Sequence, residues 1–389
     1  MAKTIGILTG GGDVPGLNPC MKTVVTEALE NGYQIIGIRR GWAGLLHYDL
    51  DEPSTYDYYI RKLSRLDVRT IDRSGGTFLH TSRTNPQKVR IDDIPDFLKD
   101  SSYGKSIDQE GSKDYTDYIL KVLSELGIDA LVSIGGDDTL SFSARLNKEG
   151  FPIVAIPKTM DNDVYGTDYC IGFSTAVTRS INLITDFRTP LGSHERIGIV
   201  ELFGRNSGET SLISAYLSCV DRAIISEVPF EMEKLAELLV DDKRKNPSHY
   251  SIMTVSEGAT IKGGGIIEKG EEDAYGHRKL GGIGEFISDE IKRITGQNTM
   301  YQKLGYVMRS GPPDALDRMV ANGFGHIAFN LIKKQDYGKM TALQEGKYTT
   351  VPLSMVVAGK RNVNVEKYYD SINYKPKIKS FINAPMFLE

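Results

Sequence analysis

Short apolar runs rich in isoleucine and valine alternate with amphipathic segments, and this alternation limits the possible fold more than any other feature of the chain. The runs are apolar on both faces, which is typical of parallel strands covered by helices on each side. In the first half, the pattern predicts strands over 4–10, 33–41, 128–136 and 152–158, and helices over 17–32, 114–127 and 139–150.

The second half repeats the same alternation. It predicts strands over 196–204, 223–229 and 250–258, and helices over 208–219, 231–244, 284–296 and 314–334. We therefore predict an α/β fold of the doubly wound kind with mostly parallel sheets. Residues 86–113 are polar and rich in turn-forming residues, and we interpret them as a surface insertion.

Composition and charge argue against several classes of function. The 389 residues include 47 basic and 51 acidic ones, so there is no basic excess that would favour nucleic acid. No apolar stretch reaches the length of about 18 residues that a membrane helix needs. Cys20, Cys170 and Cys219 are scattered singly, without zinc or disulfide spacing. We expect a cytoplasmic protein that binds neither nucleic acid nor membranes.

Four glycine-rich polar turns follow predicted strands. They lie at 9–16, 74–85, 135–139 and 157–163, at the strand ends where open parallel sheets bind their ligands. Glycines permit close backbone approach, and helix N-termini offer free N–H groups to anions. One such turn is equally compatible with an ordinary strand–helix connection, but four favour an anion site. None matches a Walker loop or a complete dinucleotide-binding fingerprint.

Aspartates in the last two turns indicate what kind of anion is bound. These four carboxylates are Asp137, Asp138, Asp161 and Asp163. They would repel a phosphate unless a cation lay between, and magnesium held by one or two carboxylates and by phosphate oxygens removes this conflict. Another carboxylate could act as the base of a phosphoryl transfer, with Lys158 and Arg83 stabilising the transferred group. The alternative is that some of these aspartates only cap helices.

Six segments together resemble the phosphofructokinase family. They are IGILTGGGDVPGLN, GGTFLHTSR, IDALVSIGGDDT, PKTMDNDVYGTDYCIGFSTA, HERIGIVELFGRNSGE and LGYVMRSGPPDALDRMVA, in order from about residue 3 to about residue 334. The combination is far more specific than any single segment. It implies magnesium-dependent phosphorylation of the 1-hydroxyl of fructose 6-phosphate, with ATP or diphosphate as the phosphoryl donor.

The resemblance also implies an architecture of two doubly wound domains with the active site in the cleft between them. One domain would comprise 1–172 with 308–358 and bind the phosphoryl donor and magnesium. The other would comprise 173–307 with 359–389 and bind the sugar phosphate. A homodimer or homotetramer is expected, because Arg196 matches an arginine that reaches the 6-phosphate from a neighbouring subunit.

On the donor side, the resemblance assigns roles to single residues. Gly11 and Gly12 match the turn that cradles the phosphoryl donor, and Arg83 matches an arginine that bridges the transferred group. Asp137 matches the magnesium-binding aspartate, and Asp163 matches a carboxylate that supports the metal.

On the sugar side, Asp161 matches the general base that takes the proton from the 1-hydroxyl, with Thr159 and Met160 beside it. The other residues that match sugar-phosphate contacts are Phe203, Gly204, Arg205, Glu257 and Arg309. Tyr306 replaces a frequent histidine, and a phenol still hydrogen-bonds phosphate. Met300 replaces an arginine of the neighbouring subunit, and we take Lys303 as its substitute, the alternative being a solvated lysine.

Asp138 and Lys158 are expected to select the donor. Both positions hold glycine in ATP-dependent bacterial members, where the first glycine leaves room for the α-phosphate of a nucleotide. Asp138 fills that room, and its repulsion of a phosphate ~4 Å away is worth about 4 kcal/mol at an effective dielectric of about 20. Lys158 offers a compact charge to a small anion, although some ATP-using relatives also carry this lysine.

These two residues make the pyrophosphate-dependent members the nearest match in the donor-site motifs. Two alternatives stay open from the residues alone. One is an ATP-dependent 6-phosphofructokinase, and the other is a non-catalytic regulatory subunit that binds sugar phosphates. The second is disfavoured because Asp137, Asp161 and Arg83 are all present.

Overall fold

Helices and strands alternate along most of the chain. The computed structural model describes residues 3–109, 111–264, 268–269 and 279–378. The strands are β1 (Thr4–Thr9), β2 (Gln34–Ile38), β3 (Ile60–Lys62), β4 (Lys105–Ser106), β5 (Lys113–Asp114), β6 (Ala130–Gly135), β7 (Ile153–Pro157), β8 (Ile197–Leu202), β9 (Arg222–Ile224), β10 (Ser251–Ser256), β11 (Glu268–Lys269), β12 (Lys279–Leu280), β13 (Thr299–Lys303), β14 (Lys339–Gln344), β15 (Lys347–Pro352), β16 (Tyr369–Asp370) and β17 (Lys375–Pro376).

The helices lie mostly between strands, as an α/β fold requires. They are α1 (Leu17–Glu30), α2 (Trp42–Leu46), α3 (Pro53–Tyr59), α4 (Arg65–Val68), α5 (Thr116–Glu125), α6 (Asp137–Lys148), α7 (Phe173–His194), α8 (Glu209–Ser218), α9 (Met232–Lys245), α10 (Ile283–Thr295), α11 (Ala315–Lys333) and α12 (Val365–Tyr368). Short 3₁₀ turns lie at Ile71–Arg73, Ile91–Asp93, Asp96–Leu98, Gly305–Arg309 and Leu353–Val357. None of the described helices combines the length and apolar character that crossing a membrane requires.

Two sheets organise the structure. The larger has the order β15-β14-β7-β6-β1-β2-β3, in which the five inner strands run parallel and the edge strands β3 and β15 run antiparallel to their neighbours. The smaller sheet, β13-β8-β10-β9, is parallel throughout. The predicted α/β fold with mostly parallel sheets is confirmed, and the antiparallel edges were not predicted.

The inner parallel strands are buried on both faces. Every residue of β6, β7, β8 and β10 is buried, because helices cover the sheets on each side. On one side of the large sheet α1 packs against α11, and their apolar faces share one core with the sheet. A separate apolar cluster lies between the small sheet and the helices α9 and α10.

The longest described helix, α7, was missed by the sequence pattern. Its 22 residues include several β-branched side chains and Pro190, which weaken the local preference for helix. Buried residues on one face, among them Phe173, Val177 and Ile184, stabilise it through tertiary packing instead. The predicted strand over 223–229 is shorter in the structure and ends at Ile224.

The segment interpreted as a surface insertion, 86–113, folds into two 3₁₀ turns and the β4–β5 ladder. Val89, Ile94 and Leu98 are buried in the same apolar cluster as Tyr118 of α5. Residue 110 lies outside the described residues, and so does 379–389 of the second expected domain. The insertion and the domain boundaries stay predictions.

A buried carboxylate joins α11 to the start of α7, the helix that leads from the large sheet to the small one. Oδ1 of Asp317 accepts hydrogen bonds from the Tyr169 hydroxyl at 2.6 Å and from the Gly172 amide at 2.7 Å. Its Oδ2 accepts from the Thr175 amide at 2.8 Å and from the Thr175 hydroxyl at 2.5 Å. Asp317 is fully buried, so its carboxylate satisfies these hydrogen-bond donors in place of water.

We expect Asp317→Ala to lower the free energy of unfolding by about 3 kcal/mol. The variant leaves several buried donors without an acceptor, and one unsatisfied buried donor costs about 1–3 kcal/mol. Asp336→Ala is the control, since the partly exposed Asp336 forms an ion pair with Lys339 at 2.6 Å, a type worth at most about 1 kcal/mol. Urea denaturation measures both variants. Equal losses in the two would contradict the role given to Asp317.

Candidate active site

The carboxyl ends of the strands in both sheets face one cleft with a cavity of about 710 Å³. The turns that follow β1, β6 and β7 form one wall, and those that follow β8, β10 and β13 form the other. Most of the residues predicted from the sequence line this cavity. They are Gly11, Gly12, Arg83, Asp137, Asp138, Lys158, Thr159, Met160, Asp161, Asp163, Phe203, Arg205, Glu257, Lys303, Tyr306 and Arg309.

The glycine turn after β1 is held by hydrogen bonds to neighbouring elements. The hydroxyl of Thr81 donates to the carbonyl oxygen of Gly11 at 2.6 Å, and Nζ of Lys158 donates to the carbonyl oxygen of Gly12 at 2.5 Å. A β-carbon at Gly12 would lie 2.5 Å from Nη1 of Arg309, so only glycine allows the guanidinium to approach. The turn is therefore flanked by two cations.

Lys158 is a cation with little access to water. Its side chain is buried, and burial lowers its pKa to about 7, helped by the nearby charges of Arg309 and Arg83 and opposed by Asp13 and Asp137. Desolvation and two guanidinium groups disfavour the ammonium form of Lys158. An anion bound beside Lys158 would restore the ammonium form and be attracted by its charge. The cleft thus provides an anion site next to the glycine turn.

Two carboxylates stand at the start of α6. Asp137 and Asp138 occupy its first turn, where the free N–H groups and the helix dipole stabilise negative charge. Oδ1 of Asp137 accepts from the Asp138 amide at 2.9 Å. Nε1 of the buried Trp42 donates to the carbonyl oxygen of Thr139, the next residue of α6, at 3.3 Å. Both aspartates also line the cleft, so capping does not account for them fully.

The turn after β7 carries a carboxylate with an unused oxygen. Oδ2 of Asp161 accepts from the Arg205 amide at 3.3 Å, whereas Oδ1 is buried without a hydrogen-bond partner among the described residues. Burial raises the pKa of Asp161 above its ordinary value, although Arg309 opposes the rise. A buried, unpaired carboxylate oxygen in a cleft is suited to accept a proton.

Asp163 completes a group of carboxylates that repel one another. Burial raises its pKa to about 7, and the charges of Asp161 and Asp137 contribute to the rise. Within the described ranges, no three or more acidic, histidine or cysteine side chains converge closely enough to hold a metal unaided. The mutual repulsion therefore fits a divalent cation shared between Asp137, Asp163 and phosphate oxygens, which is how magnesium usually binds.

On the opposite wall, an arginine lies beside two aromatic rings. Cζ of Arg309 lies 4.6 Å from the centre of the Phe203 ring and 5.7 Å from that of Tyr306. Its Nε donates to Sδ of Met160 at 3.0 Å. Since Nη1 of the same group approaches Gly12, this cation lies between the glycine turn after β1 and the turn after β8.

Lys303 lies in the cleft but already has a partner. Its Nζ pairs at 2.8 Å with Glu201, which is fully buried and also accepts from the Gly284 amide and the Tyr301 hydroxyl, both at 2.9 Å. The neighbouring Glu257 has a pKa raised to about 7 by burial and by Asp161, while Lys303 lowers it. A role for Lys303 at the 6-phosphate stays a prediction.

Two predicted residues do not line the cleft of this chain. Arg196 precedes β8 and lies at the opposite end of that strand from Phe203, about 20 Å away at about 3.3 Å per residue. A contact made from a neighbouring subunit therefore stays a prediction. Gly204 has a φ of 139°, and its carbonyl accepts from the hydroxyls of Ser226 at 2.8 Å and Ser256 at 2.9 Å. It shapes the turn on which Phe203 lies.

Several lining residues were missed by the sequence reasoning. They are Asn206, Leu280 and Gly305, whereas the lining residues Val14, Gly136 and Thr139 belong to turns that were predicted to bind an anion. Asn206 stands out because its Nδ2 donates to Oδ2 of Asp163 at 3.5 Å. It directly follows the Phe203–Gly204–Arg205 segment, and a polar residue at a parallel strand end is a signal that could have found it.

A cleft that combines glycine turns, a buried lysine, arginines and carboxylates at the ends of parallel strands is typical of enzymes that transfer phosphoryl groups. The sequence profile of the Phosphofructokinase family matches residues 4–332. The chain belongs to this family and is a phosphotransferase.

Relatives with either donor are similar to the chain. The pyrophosphate–fructose 6-phosphate 1-phosphotransferase of Amycolatopsis methanolica is 36% identical over 369 residues, covering 94% of this chain and 98% of that protein. ATP-dependent 6-phosphofructokinase 3 of Streptomyces coelicolor is 34% identical with the same coverage. The crystal structure of pyrophosphate-dependent phosphofructokinase from Nitrosospira multiformis superposes with a TM-score of 0.75, covering 97% of this chain and 89% of that one. At 16% identity this last likeness shows the fold alone.

We expect Lys158→Met to raise the free energy of unfolding at pH 7 by about 2 kcal/mol, since one pKa unit is worth about 1.4 kcal/mol. The pKa of Lys158 falls from 10.5 to about 7 on folding, so the cost of burying the ammonium is full below pH 7 and disappears as the pH rises towards 10.5. The lost hydrogen bond to Gly12 offsets part of the gain.

Urea denaturation of the wild type and the Lys158→Met variant at pH 7 and at about pH 9 measures this difference, which should shrink at the higher pH. Lys148→Met, at an exposed position of α6, is the control and should change stability by less than about 0.5 kcal/mol. A Lys158→Met protein less stable than the wild type at pH 7 would contradict the assignment.

Proposed function

We propose that the chain is a pyrophosphate-dependent 6-phosphofructokinase. It transfers a phosphoryl group from diphosphate to the 1-hydroxyl of fructose 6-phosphate, giving fructose 1,6-bisphosphate and phosphate. The observation that carries this proposal is that Asp138 and Lys158 line the same cleft as the Gly11–Gly12 turn, with the Lys158 ammonium on the carbonyl of Gly12. Relatives named for this activity, at 36–38% identity, support it.

Asp138 discriminates against a nucleotide. It stands half-buried in the first turn of α6, on the wall where the donor would lie. A nucleotide would place its α-phosphate against this carboxylate, and the repulsion is only weakly screened inside a cleft. Diphosphate lacks that group and avoids the conflict. Because ATP-dependent relatives are also 33–34% identical, overall similarity does not separate the two donors, and the choice of diphosphate rests on Asp138.

Lys158 and Arg83 stabilise the transferred group. As the bond between the phosphoryl group and its leaving phosphate breaks, negative charge grows on the oxygens, and cations aimed at them lower the barrier. Lys158 is buried with a lowered pKa, so it gains more from a bound anion than a solvated lysine would. Arg309, beside Gly12, adds a further cation and binds the sugar phosphate on its other side.

Asp161 acts as the general base. Its buried Oδ1 has no hydrogen-bond partner within the described residues, so it is available to the 1-hydroxyl of the sugar. A pKa raised by burial makes the carboxylate a better proton acceptor than a solvated aspartate. Thr159 and Met160 precede it on the same turn, and Phe203, Arg205 and Glu257 face it across the cleft.

Asp137 and Asp163 would hold Mg²⁺. A bound Mg²⁺ would supply positive charge that offsets the repulsion among these carboxylates and the negative charge of the diphosphate. The Asp163 pKa of about 7 in the protein alone reflects that repulsion in part, since Asp161 and Asp137 both raise it in addition to burial.

The remaining parts of the proposal concern direction and assembly. The diphosphate bond and the product ester differ modestly in free energy, so the reaction should run usefully both ways. Arg196 would complete the 6-phosphate site of a neighbouring subunit in a homodimer or homotetramer, because it lies far from the cleft of its own chain. A cytoplasmic location belongs to the same proposal.

Initial rates with magnesium diphosphate and with magnesium ATP test the donor. We expect kcat/KM for diphosphate to exceed that for ATP by more than about 100-fold, as a difference of about 3 kcal/mol in transition-state binding implies. Fructose 6-phosphate is held at saturation in both series. Faster turnover with ATP at millimolar donor would refute the proposal in favour of the ATP-dependent alternative.

Asp138→Gly tests the origin of the preference. We expect the ratio of kcat/KM for ATP to that for diphosphate to rise by at least about tenfold, because the variant loses both the charge and the volume that exclude a nucleotide. Asp138→Asn keeps the volume and removes only the charge, so it separates the two effects. The double variant with Lys158→Gly should raise the ratio further. If the ratio is unchanged in all of them, Asp138 does not select the donor.

A further inference from the structure

A segment at 361–363 passes behind the loop that carries Asp161 and Asp163. The backbone amide of Arg361 donates to the carbonyl oxygen of Asp163 at 3.2 Å. Nη1 of the same residue donates to the carbonyl oxygen of Asn162 at 2.8 Å. The Arg361 side chain is only 10% exposed, so water competes little for these bonds. Two consecutive carbonyl groups of the loop are thus held by one residue.

Glu209 completes this contact. Its carboxylate, 2% exposed, forms an ion pair with Arg361 and accepts from Nδ2 of Asn162 at 3.2 Å and 3.3 Å. Oδ1 of Asn162 accepts from the Cys170 amide at 2.7 Å. Asn162 has a φ of 56°, a left-handed conformation that asparagine adopts more readily than most residues. We call Arg361, Asn162 and Glu209 the Arg361 cluster.

The same segment also holds the sugar side of the cleft. The carboxylate of Glu227 accepts from the Gly208 amide at 3.0 Å and from the Val363 amide at 2.9 Å. The hydroxyl of Thr210, next to Glu209 in α8, donates to the carbonyl oxygen of Met160 at 2.9 Å. The turn after β7 and the turn after β8 are therefore bound to one buried site behind the cleft.

We propose that Arg361 is a positioning residue for the phosphoryl transfer. Arg361 donates hydrogen bonds to both the Asn162 carbonyl and the Glu209 carboxylate. These bonds fix the backbone at 161–163 and with it the carboxylate of Asp161. Nη1 donates to both acceptors, and Nη2 lies 3.5 Å from the second oxygen of Glu209. The planar guanidinium is thereby held in one orientation, which an ammonium on a flexible stem does not reproduce. This inference rests on the proposed function, in which Asp161 takes the proton of the sugar hydroxyl.

Arg222 provides a matched control. It pairs with Asp242 at 2.5 Å, with side chains 6% and 10% exposed, and its Nη1 donates to the carbonyl oxygen of Asn373 at 2.6 Å. Burial, carboxylate partner and carbonyl partner therefore match those of Arg361. Arg222 begins β9 and is not among the residues that line the cavity. Its loss should affect stability without moving the catalytic carboxylate.

The experiment compares the wild type with Arg361→Ala, Arg361→Lys and Arg222→Ala. We measure kcat and KM for fructose 6-phosphate with magnesium diphosphate, together with the midpoint of thermal unfolding. Both alanine variants should unfold at lower temperature. Only Arg361→Ala should lose kcat, by about 100-fold with KM changed less than about threefold, since a displacement of about 1 Å at a reacting group has this effect.

Two further measurements separate positioning from folding. Arg361→Lys should recover most of the unfolding midpoint but keep a kcat at least about tenfold below wild type, because an ammonium on a flexible stem orients the two acceptors less rigidly than the planar guanidinium. Guanidinium ion at millimolar concentration should raise kcat of Arg361→Ala several-fold and leave Arg222→Ala unchanged. If Arg361→Ala does not fold, the kcat of Arg361→Lys decides between positioning and folding.

A folded Arg361→Lys enzyme with wild-type kcat, or equal kcat losses in Arg361→Ala and Arg222→Ala, would overturn the inference and leave the proposed function intact. A wild-type protein that is inactive with both diphosphate and ATP would instead refute the proposed function. If the wild type turns over only with ATP, the same four proteins are compared with that donor, and the expected pattern is unchanged.

Discussion

The cleft depends on one physical constraint, which is that its charged side chains are buried away from water. The same cause, burial, lowers the pKa of Lys158 and raises those of Asp161, Asp163 and Glu257. Each of these groups is therefore less stable in its charged form than it would be in solvent. A ligand that brings the opposite charge recovers this free energy on binding. The cleft is in that sense built for charged substrates, and its cost to stability is the usual one at an active site.

Cations and carboxylates reach the cleft from several turns and lie close enough to shift one another's pKa. Lys158 and Arg309 lie beside the glycine turn after β1, while Asp137 and Asp163 come from the segments that follow β6 and β7. Parallel strands bring these turns to one edge of each sheet, so residues distant in sequence meet without long loops. The rigidity of the arrangement comes from behind the cleft, where buried polar groups such as Glu209 and Asp317 tie the turns to helices.

Much of the fold was predictable, because it rests on patterns that are local in sequence. Apolar runs indicated the inner strands except β14, and glycines with polar residues marked the carboxyl ends of several of them. The helix α7 was not predictable in this way, since tertiary burial overrides its weak local preference. The edge strand β15 was also missed, because its exposed residues lack the continuous apolar run of an inner strand. Arg361 gave no signal either, since nothing local shows that it reaches Asn162.

The sequence by itself determined the α/β class, the family and the residue types that face the cleft, because these follow from short motifs at strand ends. Only the tertiary structure decided which charged side chains of the cleft form ion pairs or hydrogen bonds with one another. It paired Lys303 with Glu201, left one oxygen of Asp161 without a hydrogen bond among the described residues, and placed Arg309 between the glycine turn after β1 and the Phe203 ring. The physical reason is that burial and hydrogen bonding depend on distances in space, which residue order along the chain does not specify.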